Sequence, residues 1–422
     1  MLKYINNIED EYSYKLEDKT LNDHSKGYLK NLLRSQNREL RKEAFLKIYG
    51  SYSKYGRILS DTLIFNIKKD AFFSNLNKFD STLQSTLLKD NVNENIYYNL
   101  IRTVKKNKNL LHNYVSLRKN ILELDHIYVY DLYAPLVKYN NIKIGYEEGK
   151  KIILEALKIL GSEYLSIVNK IINERWIDVY PNNGKVKDSY TRNIKNVHPY
   201  ISMNYDNSIN GLLTFAHEIG HCVHLYLLSD NYKGNIIFKS EVIAIVNEIL
   251  LINYFFNSNL FIKKKKLLLN YFLDYFVRIL FRQTMFADFE KEIHDKIENY
   301  KVENYIDICD IYCGLYKEYY GPTLTLSKEI RFEWTRIPHF YQKFYTYKYP
   351  LSFSIAIMLV EKIILDNNCI LRNRYMDFLK EDNLGSLSDK FSMFNIDINS
   401  LDLVEYSLNM FNKLLDEFKN AK

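Results

Sequence analysis

Glycine and proline, the residues that most often interrupt regular secondary structure, are scarce in this chain. They number 13 and 6 among 422 residues. Few such residues allow few turns, which favours long helices over a strand-rich fold. Apolar residues also recur at spacings of three and four, for example at Tyr97, Leu100, Ile101 and Val104. The sequence therefore predicts a mainly α protein.

No stretch rich in proline, glycine or serine divides the chain. We therefore expect a polar lead-in over residues 1–25 and one contiguous unit over residues 26–422. Within that unit, residues 26–120 read as an N-terminal helical part. Residues 121–422 hold the features that carry chemistry.

The charge pattern argues against nucleic-acid and membrane partners. The net charge is +7, a small excess over 58 basic and 51 acidic residues. The one dense basic run, Lys263–Lys266, is more typical of a solvated helix end than of a nucleic-acid site. The N-terminus lacks the apolar core of a signal peptide, and the longest apolar run, Leu351–Val360, is about half a membrane span. These features predict a cytoplasmic protein; they do not predict its oligomeric state.

The motif that carries chemistry is His-Glu-x-x-His at residues 217–221. Residues four apart share one face of a helix, so His217 and His221 present two imidazoles to one point. Two imidazoles suit a tetrahedral zinc ion, and Glu218 is placed to act on water beside that ion without being a ligand. His224, three residues further, is expected either at the rim of the site or on the surface. A third protein ligand has to come from elsewhere in the chain.

Glu241 is the best candidate for that third ligand. It follows His221 by twenty residues, which leaves room for a loop and a returning helix, and apolar residues surround it. An apolar helix rarely buries an unpaired carboxylate. Glu248, seven residues on, shares its face and could orient a ligand histidine. An ordinary salt bridge is the alternative for each glutamate.

Residues 197–205 alternate between apolar and polar side chains, which predicts a strand. Pro199 cannot donate to a ladder, so we expect an edge strand beside the zinc helix. A peptide could pair with such an edge and lie across the metal, with His198 and Tyr200 as substrate-binding residues. The alternative is the capped edge of a small sheet.

The segment 336–349 is rich in aromatic residues and contains His339, Tyr345 and Tyr347. Phenol and imidazole groups can donate to the oxyanion that forms when an amide is cleaved. Core packing is the alternative explanation for most of these side chains.

Several blocks together resemble the oligoendopeptidase F branch of the M3 (thimet oligopeptidase-like) zinc peptidases. The resemblance extends from about Gly27 to near the C-terminus. Its blocks are 217–221, Glu241 with Asn247-Glu248, 336–341 with 344–349, 130–135, 175–180, 198–200 with 203–205, and 281–287.

The resemblance implies an elongated helical peptidase with a deep central channel and a small β-sheet beside the zinc-binding helix. It implies one Zn²⁺ per chain on His217, His221 and Glu241, and Glu218 as general base and acid. Transition-state donors would be His339 and Tyr347, with Tyr345 as the second choice. The implied activity is endopeptidase cleavage of short oligopeptides.

This chain departs from the family pattern at three places. It is expected to be short at its N-terminus, where relatives carry a further helical region. Residues 188–193 replace a Tyr-Ser segment that contains glycine, and residues 349–353 lack a Thr-Gly pair. These departures bear on which substrates fit. Two other functions therefore remain open: a zinc-containing peptide-binding protein without activity, and a carboxypeptidase of related architecture.

Overall fold

A computed structural model describes most of the chain, and the predicted lead-in (1–25) and the predicted loop at 230–234 lie outside the part it describes. The described residues are 32–137, 142–182, 184–186, 188–194, 196–228, 237–258, 261, 264–299, 301, 304–365, 370–381 and 385–421.

Helices dominate these residues, as the scarcity of glycine and proline predicts. They are α1 (Arg38–Leu76), α2 (Thr82–Lys89), α3 (Glu94–Lys106), α4 (Asn109–Ile121), α5 (Tyr146–Leu157), α6 (Ser162–Asn173), α7 (Ile209–Leu227), α8 (Ile237–Asn257), α9 (Lys265–Phe276), α10 (Arg282–Glu298), α11 (Tyr305–Tyr320), α12 (Lys348–Leu365), α13 (Ile370–Lys380), α14 (Leu387–Ser392) and α15 (Asp402–Asn420). A π-helical turn, Val277–Phe281, precedes α10, and 3₁₀ helices span Val129–Tyr133, Lys158–Leu160, Lys328–Arg336 and Pro338–Tyr341.

Burial explains why these segments pack as helices. In α3, Ile96, Tyr97, Leu100, Ile101 and Val104 are all buried, so the three-and-four spacing marks a face that points inward. The main hydrophobic core extends from Leu33 to Phe418 and draws on both predicted parts of the chain. The apolar run in α12 is buried in this core. No described helix has the length and apolarity needed to cross a membrane.

Two small sheets complete the described fold. β1 (Ile127–Tyr128) and β5 (Leu324–Thr325) pair in parallel. The second sheet has the order β2-β4-β3, formed by Ile177–Asp178, Tyr200–Ser202 and Tyr190–Arg192. A mainly α fold with a small sheet is therefore confirmed.

The predicted edge strand is wrong in one respect. Tyr200–Ser202 is the central strand, parallel to β2 and antiparallel to β3. Pro199 lies just before the strand, so its missing N–H falls outside the ladder and does not force the strand to an edge. The edge strands of this sheet are β2 and β3, and β3 lies within the segment 188–193 that departs from the family pattern.

Helices α7 and α8 pack against each other closely, and Gly220 permits that approach. A Cβ built on Gly220 would lie 2.6 Å from the Cα of Ala244, a backbone atom that cannot turn aside. α7 begins at Ile209 because the preceding Ser208 caps it: the Ser208 side chain accepts a hydrogen bond of 2.9 Å from Gly211 N. The sequence around the motif thus fixes both the start of α7 and its distance from α8.

We expect Gly220→Ala to destabilise the protein by about 1–3 kcal/mol, the usual range for an overpacked interior. Urea unfolding at constant pH measures the change. Gly314→Ala is the matched control, because its added Cβ meets nothing within 4 Å and it lies on exposed surface in α11. We expect that control to gain about 0.5–1 kcal/mol from helix propensity. Equal stabilities for both variants would contradict the close-packing argument.

Candidate metal centre

His217, His221 and Glu241 lie together, as the sequence predicts. The two Nε2 atoms are 3.0 Å apart, and Glu241 Oε2 is 3.8 Å from His217 Nε2. One possible ligand atom from each of the three residues lies within 4.8 Å of the others. α7 supplies the imidazoles and α8 supplies the carboxylate, so the close packing of these two helices builds the cluster.

The ring nitrogens that face away from the cluster are also held. His217 Nδ1 lies 2.6 Å from Glu248 Oε1, and Glu248 Oε2 accepts a hydrogen bond of 2.9 Å from the Tyr275 hydroxyl. His221 Nδ1 lies 2.8 Å from Ser240 Oγ. Such partners fix the tautomer and leave each Nε2 free to bind an ion. The sequence predicted the orienting role of Glu248, whereas it gave no sign of Ser240.

We expect Glu248→Gln to weaken zinc binding about ten- to a hundredfold, the typical effect of removing a partner of a ligand histidine. Ser240→Ala removes a neutral partner from the other histidine, so its effect should be smaller. Competition with a fluorescent chelator measures both affinities. The reverse order, with Ser240→Ala the weaker binder, would show that the charge of Glu248 does not support His217.

The electrostatics of the cluster favour a cation. Burial raises the pKa of Glu241, and its Oε2 is shut off from solvent with no hydrogen-bond partner among the described residues. Burial opposes a charge on His217, but the nearby carboxylates, Glu248 foremost, together outweigh burial and raise the His217 pKa to about 9. Burial lowers the pKa of His221. Two imidazoles and an orphaned carboxylate are a donor set that fits zinc.

Glu218 lies beside the cluster on the same helix and is 5% exposed. The Thr191 hydroxyl lies 2.6 Å from Glu218 Oε2 and 3.1 Å from the carbonyl oxygen of Glu218. Burial raises the pKa of Glu218. Thr191 belongs to β3, so the edge strand contacts the carboxylate predicted to act as base. Sequence analysis missed Thr191, which appeared there only as part of the departing segment.

The aromatic segment divides into two groups. His339 stacks on Tyr345 with ring centroids 5.3 Å apart, and its Nε2 lies 3.2 Å from the Tyr349 hydroxyl. Burial raises the pKa of both tyrosines, and the charge of Glu241 raises it further. These three side chains are half-buried. The influence of the Glu241 charge on Tyr345 and Tyr349 indicates that these two phenols lie near the cluster.

Tyr347 belongs to the other group. It is fully buried, and its hydroxyl donates a 2.8 Å hydrogen bond to Asp90 Oδ2. Lys348 lies beside it, with Nζ 2.8 Å from the same carboxylate oxygen. Because Asp90 already holds the Tyr347 hydroxyl, this geometry favours Tyr345, the second choice, over Tyr347 as a transition-state donor. Tyr345 and Tyr349 contact each other with ring centroids 5.7 Å apart, whereas Tyr347 packs against Tyr97 at 5.4 Å.

The remaining predicted residues are His198, Tyr200 and His224. His198 stacks on Trp176 with centroids 4.1 Å apart, and Tyr200 packs against His198. His224 is fully buried, which corrects its expected place at the rim or on the surface. Burial lowers its pKa to about 3, and neither ring nitrogen has a partner among the described residues.

Two imidazoles from one helix, a carboxylate from the next and a second glutamate beside them are the arrangement of His-Glu-x-x-His metallopeptidases. A model of peptidase family M3 matches residues 31–410. The chain belongs to that family, which confirms the resemblance that its motifs carry.

Individual relatives agree with this family. Oligopeptidase PepF of Bacillus subtilis (strain 168) is 38% identical over 411 residues, an alignment that covers 96% of this chain and 61% of PepF. The oligoendopeptidase F homolog of Borreliella burgdorferi is 33% identical, over 92% of this chain and 66% of that protein. The crystal structure of oligoendopeptidase-F from Enterococcus faecium is similar with a TM-score of 0.73 and 27% identity, over 99% of this chain and 72% of that one. This chain thus spans less than two thirds of the length of these two curated relatives.

Proposed function

We propose that this protein is a zinc-dependent endopeptidase that hydrolyses internal bonds of short oligopeptides. The observation that carries the proposal is the convergence of His217, His221 and the orphaned carboxylate of Glu241, with Glu218 beside them but outside the ligand set. These three residues would hold one Zn²⁺ per chain. The names of the relatives, an oligopeptidase and two oligoendopeptidases, support peptide substrates of limited length.

A bound zinc ion would polarise the peptide carbonyl and acidify the attacking water. Glu218 takes the proton from that water and returns it to the leaving amine. Its position suits this double role, because burial raises its pKa and so strengthens it as a base. Thr191 holds Glu218 Oε2, which leaves the other carboxylate oxygen to exchange protons.

The negative charge that develops on the carbonyl oxygen is stabilised by hydrogen-bond donors. These donors should be neutral at pH 7, so that Glu218 remains the group that accepts the proton. His339, Tyr345 and Tyr349 are suited to this role, because burial lowers the pKa of the imidazole and raises that of both phenols. At pH 7 both phenols therefore keep their protons and the imidazole is neutral. The phenol O–H groups and the imidazole N–H can each donate a hydrogen bond to an oxyanion.

The substrate backbone is proposed to pair with β3, Tyr190–Arg192. Among the described residues, this strand has one neighbour in its sheet, β4, and it contacts Glu218 through Thr191. Its other edge offers backbone groups to a peptide. His198 and Tyr200 would then lie one strand away, as more distant contributors to substrate binding.

Cleavage of a diverse pool of internally quenched peptides, with and without a zinc chelator, tests this function. We expect cleavage that the chelator abolishes and added zinc restores. Peptides with a blocked C-terminus should be cleaved equally well, because an endopeptidase does not require a free end. A requirement for a free end would instead indicate a carboxypeptidase. Bound zinc without cleavage would indicate a peptide-binding protein.

A further inference from the structure

Arginines and tyrosines form a cluster next to the aromatic segment. Its positive charge exceeds the negative charge of the carboxylates around it. Arg282 begins α10, and Arg336 ends the 3₁₀ helix that precedes His339. Arg282 Nη2 lies 2.6 Å from Glu333 Oε1, and Arg336 Nη1 lies 3.9 Å from the same oxygen. No other carboxylate among the described residues lies within ion-pair distance of either guanidinium. Two cations thus share one anion.

Glu333 has little capacity left for a second arginine. It is fully buried, and both of its oxygens accept hydrogen bonds from phenols: 2.8 Å from Tyr49 and 2.6 Å from Tyr312. Burial alone would raise its pKa, but Arg282 and Arg336 outweigh burial and hold the pKa below its usual value. Glu333 is therefore a fixed anion whose lone pairs are largely occupied.

The arginines, by contrast, keep unused donors. Arg336 Nη1 donates to the Tyr49 hydroxyl at 2.9 Å, while its Nε is shut off from solvent and has no partner in the described part of the chain. Arg282 is held against the Phe286 ring at 4.9 Å, with its one described hydrogen bond going to Glu333. Each side chain is still 21% exposed, so a ligand has access. A guanidinium offers five N–H groups, and a carboxylate accepts two of them in parallel.

We propose that Arg282 and Arg336 form a binding site for a carboxylate of the peptide substrate, an inference that rests on the proposed function. Arg336 precedes His339 by three residues, across the extended residue Ile337 that separates two 3₁₀ helices, so the backbone between them spans at most about 10 Å. An extended peptide advances about 3.3 Å per residue. A bond held near His339 would therefore place the carboxylate about two or three residues along the peptide. The carboxylate belongs either to the peptide's C-terminus or to an Asp or Glu side chain.

Matched peptides test this site with the zinc-loaded full chain. One peptide ends in a free carboxylate two or three residues beyond the cleaved bond, a second ends there in an amide, and a third is the amide with Asp at that position. We expect the plain amide to raise KM about tenfold or more, with kcat changing less, because a charged hydrogen-bonding partner is lost. Recovery with the third peptide would assign the site to acidic side chains, and no recovery would assign it to the chain terminus.

Substitutions at Arg336 tie that preference to the cluster. Arg336→Gln should remove the difference in KM between acid and amide, and Arg336→Lys should keep part of it. If a variant fails to fold, the comparison of acid and amide with the unaltered protein still decides. Equal KM values for acid and amide would overturn the inference and leave the proposed peptidase function intact.

Peptide binding to Glu218→Gln, measured by fluorescence anisotropy, separates the two proposals. This variant should bind the acid about tenfold or more tightly than the amide, without hydrolysis. The same discrimination in a protein that never cleaves peptides would keep the carboxylate site and reject the peptidase. Cleavage without discrimination would do the opposite.

Discussion

Glu218→Gln is expected to lower kcat for quenched-peptide hydrolysis by about a thousandfold or more while the protein keeps its zinc. General base catalysis contributes about 10²–10⁴, and here one residue is assigned both the proton removal and the proton return. The amide keeps the size of the side chain and an oxygen for the Thr191 hydroxyl, so the fold should survive. Assays sampled over long times give kcat even when turnover is slow. Metal analysis of the same sample gives the zinc content.

The control for this substitution is Glu298→Gln. Glu298 lies on α10, outside the cluster, and its Oε1 is 3.1 Å from His294 Nδ1. We expect it to retain activity close to that of the unaltered protein. Undiminished turnover in Glu218→Gln would reject Glu218 as the base. Loss of zinc from Glu218→Gln would instead place its carboxylate among the ligands.

Thr191→Val would remove the hydroxyl that contacts Glu218 and leave the Glu218 carboxylate in place. The Thr191 hydroxyl is the described partner of Glu218 Oε2, and burial already raises the pKa of Glu218. The departing segment 188–193 therefore supplies the strand that contacts Glu218, the residue proposed as the base. The sequence marked the segment as unusual, but a single hydroxyl reaching across to a helix has no periodic signal.

The parts of the site that sequence analysis predicted are those that depend on one helix or on two successive helices. His217 and His221 need only helical spacing, and Glu241 needs only a returning helix within twenty residues. Glu248 follows from the same face. Each of these follows from helical spacing or from the order of neighbouring helices along the chain.

The parts that it missed depend on contacts between distant segments. The order of the small sheet is set by how residues 177–178, 190–192 and 200–202 meet, and Pro199 gave a misleading signal because it lies just outside the ladder. The preference for Tyr347 failed to anticipate Asp90, which lies 257 residues earlier in the chain.

Glu241→Gln is expected to weaken zinc binding by more than Glu248→Gln does, at least about a hundredfold, and to abolish hydrolysis at ordinary zinc concentrations. Loss of a ligand should exceed the effect of losing a partner of a ligand, for which ten- to a hundredfold is typical. Glu241 is the only acidic member of the described cluster, so the amide also removes the negative charge that attracts the ion. Chelator competition measures the affinity, and zinc titration of activity shows whether excess metal rescues turnover.

Glu241→Gln is expected to weaken zinc binding, but it should not lower the folding stability of the metal-free protein. Burial raises the pKa of Glu241, so the folded state holds a proton that the unfolded state releases at lower pH. Stability from this group therefore falls as the pH rises above the ordinary carboxyl value of 4.5. Glutamine has no charge to bury, so at pH 7 the metal-free variant should melt at the same temperature as the unaltered protein or higher. Zinc should then raise the melting temperature of the unaltered protein far more than that of the variant, and an equal rise in both would reject Glu241 as a ligand.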